Sequence, residues 1–155
     1  MQDAADYTSA SQIARVLTEK WVSQQVACPL CGSTLKPLAN NTPGRDFYCV
    51  ECAASYQLKS YKGKRKPKLI GAEYRTTVSI LLAAGGPHLL VVRYSKEYMV
   101  QEVFWAENKD ITKDHVQPRR PLSSTARRAG WQGSTLFLGQ IPFKILLCKP
   151  LGGAA

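Results

Sequence analysis

Acidic residues and long apolar runs are both scarce in this chain, and each shortage narrows the possible functions. Eleven aspartates and glutamates face 21 lysines and arginines, which gives the 155 residues a formal net charge of +10. This charge favours a polyanionic partner, nucleic acid first, over an acidic small molecule. The longest apolar runs, 78–84 and 89–92, are far too short to cross a bilayer. Asp3 and Asp6 are unlike the start of a secretory signal, so we expect a cytoplasmic protein without a membrane partner.

Hydrophobic residues make up 45% of the chain, enough for one buried core and too many for disorder. We therefore expect a single domain over residues 1–155. Apolar spacing predicts a helix over 11–25, capped by Ser11 and ended at the Cys28-Pro29 junction, and a second helix over 72–84. Strand-like runs occupy 46–49, 55–59, 89–94, 98–105, 135–138 and 141–148, while 111–116 is ambiguous. This order favours an α/β or α+β fold, with a mixed sheet flanked by helices.

The cysteines form two close pairs and leave one residue over. Cys28-Pro29-Leu30-Cys31 and Cys49-Val50-Glu51-Cys52 are separated by 17 residues, a spacing at which four thiolates can surround one zinc ion. Two disulfides and a redox C-x-x-C pair are the alternatives. Four thiolates would leave zinc no open position, so we expect a structural metal within a zinc-binding element over 28–52.

Asp46, Gln57 and Lys59 form a second pattern, on the two arms of the predicted hairpin. Gln57 and Lys59 are two residues apart and share one face of a strand, and the antiparallel return can bring Asp46 beside them. An acid, an oxygen-bearing side chain, a main-chain carbonyl and a lysine are the parts of a magnesium site for phosphodiester hydrolysis. A solvated hairpin with one buried apolar face is the alternative.

Two basic segments are candidates for nucleic-acid contact. The loop 62–68, with Lys62, Lys64, Arg65 and Lys66, follows the hairpin directly and could bind phosphates, or could be an ordinary solvated surface. In the segment 125–131, Arg127 and Arg128 suit the acceptors of guanine in the major groove. Trp131 could stack on bases or wedge between them, and its alternative is a core tryptophan preceded by two surface arginines.

Nearly the whole chain resembles the methyl-directed restriction endonucleases of the DpnI type. The residues that carry the resemblance are Ser11-Gln12-x-Ala14-Arg15-x-Leu17-Thr18-Glu19-x-Trp21-Val22, Cys28-Pro29-x-Cys31-Gly32, Asp46-Phe47-Tyr48-Cys49-x-x-Cys52, Leu58-Lys59-Ser60-x-Lys62-Gly63, Arg120-Pro121-Leu122 and Thr125-Ala126-Arg127-Arg128-Ala129-Gly130-Trp131. The resemblance implies a PD-(D/E)XK nuclease core with an inserted zinc-binding hairpin. It also implies Mg²⁺-dependent cleavage of double-stranded DNA that carries N6-methyladenine in the context GATC.

Position by position, the resemblance makes Asp46 the metal-binding acid, Leu58 the source of a main-chain carbonyl ligand and Lys59 the motif lysine. Gln57 departs from the family, which has glutamate there, and a neutral amide offers magnesium less charge. Glu19 and Glu73 are the acids that could compensate. A DNA-binding module that reads methyladenine but has lost catalysis through Gln57 is therefore one alternative, and a zinc-ribbon nucleic-acid binder without methyl preference is another.

The type member of the family continues into a winged-helix domain that also binds methylated DNA. This chain ends at Ala155, so we expect no such domain here. A specific enzyme of this size would read its site as a monomer or as a DNA-induced dimer. The resemblance places it in the cytoplasm of a prokaryote, or of a cell infected by the phage that encodes it.

Overall fold

A computed structural model describes residues 9–39, 42 and 44–148 of the chain. Within them, the first helix is followed by four strands and the second by five. The helices are α1 (Ala10–Gln25) and α2 (Tyr74–Leu81). The strands are β1 (Leu35–Pro37), β2 (Phe47–Cys49), β3 (Ser55–Lys62), β4 (Leu69–Glu73), β5 (His88–Tyr94), β6 (Val100–Ala106), β7 (Val116–Pro118), β8 (Gly133–Leu136) and β9 (Lys144–Cys148).

Helix α1 begins one residue earlier than its apolar spacing predicts. Ser9 is the N-cap, and its hydroxyl accepts a hydrogen bond from the backbone N–H of Gln12 at 3.2 Å. The prediction of Ser11 as the cap was wrong, because Ser9 precedes the same helix in an extended conformation and meets an otherwise unpaired N–H. The helix ends at Gln25, short of the Cys28-Pro29 junction, since the chain is already extended at Val26.

Six strands form the main sheet, in the order β1-β2-β3-β5-β6-β9. Only β3 and β5 are parallel among these neighbouring pairs, and β4 and α2 provide the crossover that parallel neighbours require. A smaller antiparallel sheet has the order β4-β8-β7. The predicted mixed sheet flanked by helices is confirmed.

The second helix is shorter than the predicted range 72–84. Its first residues pair instead as β4, and Glu73 caps α2 by accepting hydrogen bonds from the backbone N–H groups of Thr76 at 2.9 Å and Arg75 at 3.1 Å. Apolar spacing did not reveal β4, because its residues pair with β8, which lies 60 or more residues later in the chain. The ambiguous segment 111–116 contains a 3₁₀ turn over Lys113–His115 and the start of β7.

The central strand β5 separates two apolar clusters, one on each face of the main sheet. Leu90 and Val92 face a cluster that includes Val22 of α1 and Tyr56 of β3. Leu89 and Val91 face the other, together with Leu81, Tyr61 and Leu136. Burial on both faces explains why β5 reads as a continuous apolar run rather than an alternating one. Neither of the helices described here has the length and apolar character that a bilayer crossing demands.

Candidate functional site

The four paired cysteines meet at one point. The sulfur atoms of Cys28, Cys31, Cys49 and Cys52 all lie within 4.8 Å of one another, with 3.8 Å between Cys28 and Cys52 and 3.3 Å between Cys31 and Cys49. Zinc bonds of about 2.3 Å in a tetrahedron place sulfurs about 3.8 Å apart, so this cluster has the dimensions of a zinc site. All four cysteines are free thiols, and these separations are far above the roughly 2.05 Å of a disulfide.

The two cysteine knuckles have the same backbone turn. The carbonyl of Cys28 accepts from the N–H of Gly32 at 2.8 Å, and the carbonyl of Cys49 accepts from the N–H of Ala53 at 3.1 Å. Residues 32 and 53 both adopt positive φ, +81° and +63°. Because an alanine in this conformation is strained by roughly 1–2 kcal/mol, the second turn must be held by its surroundings.

A backbone N–H group favours the charged form of one sulfur in the cluster. The N–H of Cys52 points at the sulfur of Cys49 at 3.5 Å, and chiefly through this contact the pKa of the Cys49 thiol is lowered to about 6. Deprotonated sulfur is the form that binds metal. The hydroxyl of Tyr56 lies 3.1 Å from the sulfur of Cys28 and provides a buried polar contact outside the ligand set.

The predicted catalytic residues lie around one cavity, of about 360 Å³, at the edge of β3. Asp46, Gln57, Leu58 and Lys59 line it together with Glu19 and Arg15 of α1. Strand β2 pairs with β3 only at Ser55 and Tyr56, so the rest of this edge of β3 extends beyond the end of β2. The cavity opens where that neighbour stops.

Asp46 takes the place of the missing neighbour. The register of β2 and β3 ends at Phe47 and Tyr56, and the N–H of Asp46 donates to the carbonyl of Tyr56 at 2.8 Å. Gln57 and Lys59 share a face of β3 by alternation. The Asp46 carboxylate accepts a hydrogen bond from the N–H of Leu58 at 2.6 Å. Since the N–H and C=O of a strand residue point to the same edge, the Leu58 carbonyl faces this edge too.

A glycine brings Asp46 close to α2. Gly44 has a φ of +67°, and a Cβ added there would overlap the side chain of Ile80. Residue 44 must therefore be glycine both for its backbone conformation and for the space available. The approach to Asp46 is fixed by this contact, and by Arg45, which donates to the carbonyl of Gly85 at 3.3 Å.

The amide oxygen of Gln57 is buried and has no hydrogen-bond partner within the described residues. An unpaired buried acceptor costs roughly 1–3 kcal/mol, so a protein keeps one where it serves a purpose. A cation or a donor in the cavity would satisfy it. The donor set of a carboxylate, an amide oxygen and a carbonyl consists of oxygens alone, which fits a hard cation such as Mg²⁺.

Lys59 is the cationic residue among the candidate catalytic residues that line the cavity. Burial lowers the pKa of its ammonium group, and the nearby carboxylate of Asp46 opposes that effect. A lysine with a lowered pKa beside an acid is a frequent feature of catalytic sites.

The two acids that could compensate for Gln57 have different surroundings. Glu19 lines the cavity, where it also forms an ion pair with Arg15 at 3.1 Å. Glu73 is occupied as the cap of α2, and it is absent from the described lining of the cavity. Of the two, the fold brings Glu19 to the site.

The basic loop is attached to the sheet by an acid that the sequence did not single out. Glu102 of β6 has 1% of its side chain exposed and pairs with both Arg65 and Arg93. Arg65, one of the predicted DNA contacts, thus has a structural partner, whereas Lys62, Lys64 and Lys66 are exposed. An acid within a largely apolar strand was the signal for Glu102, but its partners lie 9 and 37 residues away.

The segment 125–131 forms the end of a closed loop. The N–H of Leu122 donates to the carbonyl of Trp131, and the N–H of Gly130 donates back to Leu122, at 2.9 and 3.0 Å. The Arg128 guanidinium lies over the Trp131 ring, 4.6 Å from its centroid. Trp131 is half-buried, in contrast to Trp105, which lies in the core, and Arg127 is exposed. Arg128 is therefore presented on an aromatic platform.

Comparison with known proteins identifies one family. The model of the family described as DpnI: Dam-replacing family matches residues 1–148 of this chain. The match includes every cavity residue, the four cysteines and the loop that ends at Trp131.

Proposed function

The chain belongs to the DpnI: Dam-replacing family, and on that premise we propose that it is an Mg²⁺-dependent endonuclease cutting double-stranded DNA at N6-methyladenine in GATC-like sites. Family membership itself indicates a restriction-type function on methylated DNA. The observation that supports cleavage is the meeting of the Asp46 carboxylate, the unpaired Gln57 oxygen and the Lys59 ammonium around one cavity. The proposed core is of the PD-(D/E)XK type, with residues 28–52 as its zinc-binding element.

Each cavity residue has a role in this proposal. Asp46, the Gln57 side chain and the Leu58 carbonyl would hold Mg²⁺, with Glu19 adding the charge that glutamine lacks. The metal, when bound, activates water and neutralises charge on the phosphate. Lys59 orients the attacking water beside Asp46, and its lowered pKa eases the transfer of a proton. The cysteine cluster would hold a structural Zn²⁺, which fixes the β2–β3 hairpin that carries these groups.

Recognition of methyladenine needs more than the methyl group. Burying one methyl gains only about 0.8 kcal/mol, which is roughly a fourfold preference. Strong discrimination thus requires both adenines of the palindrome to be read, or unmodified DNA to leave contacts unmade. In the proposal Arg127 and Arg128 contact guanines. Trp131 either supports the Arg128 guanidinium or contacts bases itself.

Digestion of paired plasmids tests the proposal directly. Plasmid with methylated GATC should be cut in Mg²⁺, and the unmethylated plasmid should survive. Asp46→Asn and Lys59→Ala should abolish cutting, whereas Asp114→Asn, which changes an exposed acid outside the cavity, should not. No cleavage of either plasmid at any enzyme concentration would refute the nuclease.

The neutral Gln57 favours one second candidate, a methyladenine-binding module without catalysis. That module would shift methylated duplex in a gel and cut nothing, even in Mn²⁺. Gln57→Glu should then restore cutting. Equal affinity for methylated and plain duplex would instead select a nucleic-acid binder that does not read the methyl group.

The remaining parts of the proposal are organisational. We infer that residues 1–155 act as one nuclease domain in the cytoplasm of a prokaryote or of a phage-infected cell. Cutting both strands of a palindrome requires either two copies on the DNA or two successive visits. Sedimentation with and without a methylated duplex distinguishes a monomer from a DNA-induced dimer.

A further inference from the structure

A second cleft, lined by several cationic side chains, lies at the far end of β3, beyond the candidate cleavage site. It has a volume of about 490 Å³ and is lined by Lys62, Lys64, Arg93, Tyr94, Lys96 and Glu97, among others. Three lysines from two separate segments thus face one acid. Lys96 comes from the turn between β5 and β6, more than 30 residues from Lys62, and nothing in the sequence links it to the basic loop.

We propose that this cleft binds the DNA backbone as it leaves the cleavage site, with Lys62, Lys64 and Lys96 contacting phosphates within about three nucleotides of the cut. The inference rests on the proposed nuclease function. Lys62 follows Lys59 by three residues of strand, about 10 Å, so the cleft lies within a few nucleotides' reach of the candidate cleavage site. One DNA strand could therefore contact both places.

The basic loop has a fixed backbone. The N–H of Gly63 donates to the carbonyl of Tyr94 at 2.9 Å, and the Arg93 guanidinium donates to the carbonyl of Gly63 at 2.9 Å. Arg93 is in turn paired with the buried Glu102, which also holds Arg65. Lys62 and Lys64 consequently project from a turn that is bound to the sheet on both sides.

The turn that carries Lys96 is equally constrained. The Ser95 hydroxyl accepts from the N–H groups of Glu97 and Met99, at 3.3 and 3.2 Å. The rings of Tyr94 and Tyr98 stack, with 6.0 Å between their centroids. Phosphate contacts set the register of a protein on DNA, and they can do so only from rigid supports of this kind.

These arrangements assign different roles to neighbouring cations. Lys62, Lys64 and Lys96 are exposed and contact phosphate directly. Arg65 and Arg93 are positioning residues, since their guanidinium groups hold the loop through Glu102. A general cationic surface would make no such distinction.

The test compares two triple variants of equal charge. One replaces Lys62, Lys64 and Lys96 by alanine; the control replaces Lys36, Lys109 and Lys113, exposed lysines that do not line the cleft. Affinity for a methylated duplex is measured by fluorescence anisotropy in Ca²⁺ over a range of salt. The cleft variant should lose about 2.7 from the log–log salt slope, 0.9 for each phosphate, whereas the control should keep the wild-type slope.

Methylphosphonates, which replace charged phosphates of the DNA by neutral groups, show where on the DNA the contact is made. Methylphosphonates one to three nucleotides from the cut should weaken binding of the wild type and leave the cleft variant unaffected. In cleavage assays the cleft variant should raise KM and keep kcat, because the contact is made equally in the ground and transition states. Far-ultraviolet circular dichroism confirms that all variants are folded.

The outcomes separate this inference from the proposed function. Equal salt slopes for the two triple variants would overturn the proposed phosphate contact at the cleft. A methylphosphonate effect that persists in the cleft variant would do the same. The wild type could bind duplex without ever cutting it, while the cleft variant shows the predicted loss of salt slope. That result would refute the nuclease and leave the cleft as a DNA contact. A wild type that binds no duplex would overturn both.

Discussion

Replacing Gln57 by methionine should stabilise the protein without metal and remove its response to Mg²⁺. Methionine has nearly the shape of glutamine but no amide oxygen. Among the residues that the structure describes, the buried Gln57 oxygen has no partner, so its removal relieves an unmet acceptor rather than breaking a bond. The same change deletes a proposed magnesium ligand. Stability and metal response should therefore move in opposite directions.

The magnitude follows from the desolvation of one polar atom. A buried acceptor without a partner costs roughly 1–3 kcal/mol. For a chain of 155 residues, 1 kcal/mol shifts Tm by about 2–4 °C, so the metal-free variant should melt roughly 2–12 °C higher. Mg²⁺ at one hundred times its Kd should stabilise the wild type by about 2.7 kcal/mol, and the variant by much less.

The assay is thermal and urea denaturation of zinc-loaded protein, with Mg²⁺ either removed or titrated. Gln117→Met is the matched control, because Gln117 is exposed on β7 and does not line the cavity. This control should change neither Tm nor its dependence on Mg²⁺. A Gln57→Met protein that is less stable than the wild type without Mg²⁺, or that is stabilised equally by Mg²⁺, would refute the reasoning.

Three further predictions concern the cysteine cluster, the buried Glu102 and the Trp131 ring. Removing zinc with a chelator should unfold the β2–β3 hairpin and abolish cutting, and Zn²⁺ but not excess Mg²⁺ should restore both the circular dichroism and the activity. Glu102→Gln should lower the free energy of unfolding by about 1–3 kcal/mol in urea at pH 7, since it leaves two guanidiniums without their carboxylate. Arg65 first, and then Arg93, hold the pKa of Glu102 below its ordinary value of 4.5. The stabilisation is therefore complete above pH 4.5, and it should vanish as the pH falls through the lowered pKa of the folded protein. Trp131→Leu should remove about 0.5–2 kcal/mol of cation–π support from Arg128. Replacing guanine in the DNA site by 7-deazaguanine, which lacks the N7 acceptor, should weaken binding of the wild type but have little further effect on binding of this variant.

The metal knuckles and the cavity could be predicted because both follow from local spacing. Two C-x₂-C pairs specify a tetrahedral cluster with few alternatives, and the four sulfurs do converge. Gln57 and Lys59 share a face by the alternation of a strand, and Asp46, next to the short β2–β3 pairing, is hydrogen-bonded to Tyr56 and Leu58. In each case the geometry is fixed by a few neighbouring residues, so the pattern alone carries it.

The features that the sequence did not reveal depend on contacts between distant segments. Glu102 has its partners on the basic loop and on β5, and Lys96 approaches Lys62 only because β3 and β5 pair in parallel. The last two residues of strand β4 were predicted as the start of a helix, because the pairing of β4 with β8 outweighs the local pattern. Intrinsic preference decides little where such long-range pairing is available.

The positions of the cysteines also bear on how the molecule is made. All four lie between residues 28 and 52, ahead of the central strand β5. During translation the hairpin could therefore capture its ion while later strands are still unsynthesised, because N-terminal segments emerge first. Binding of the proposed zinc ion would then precede completion of the main sheet.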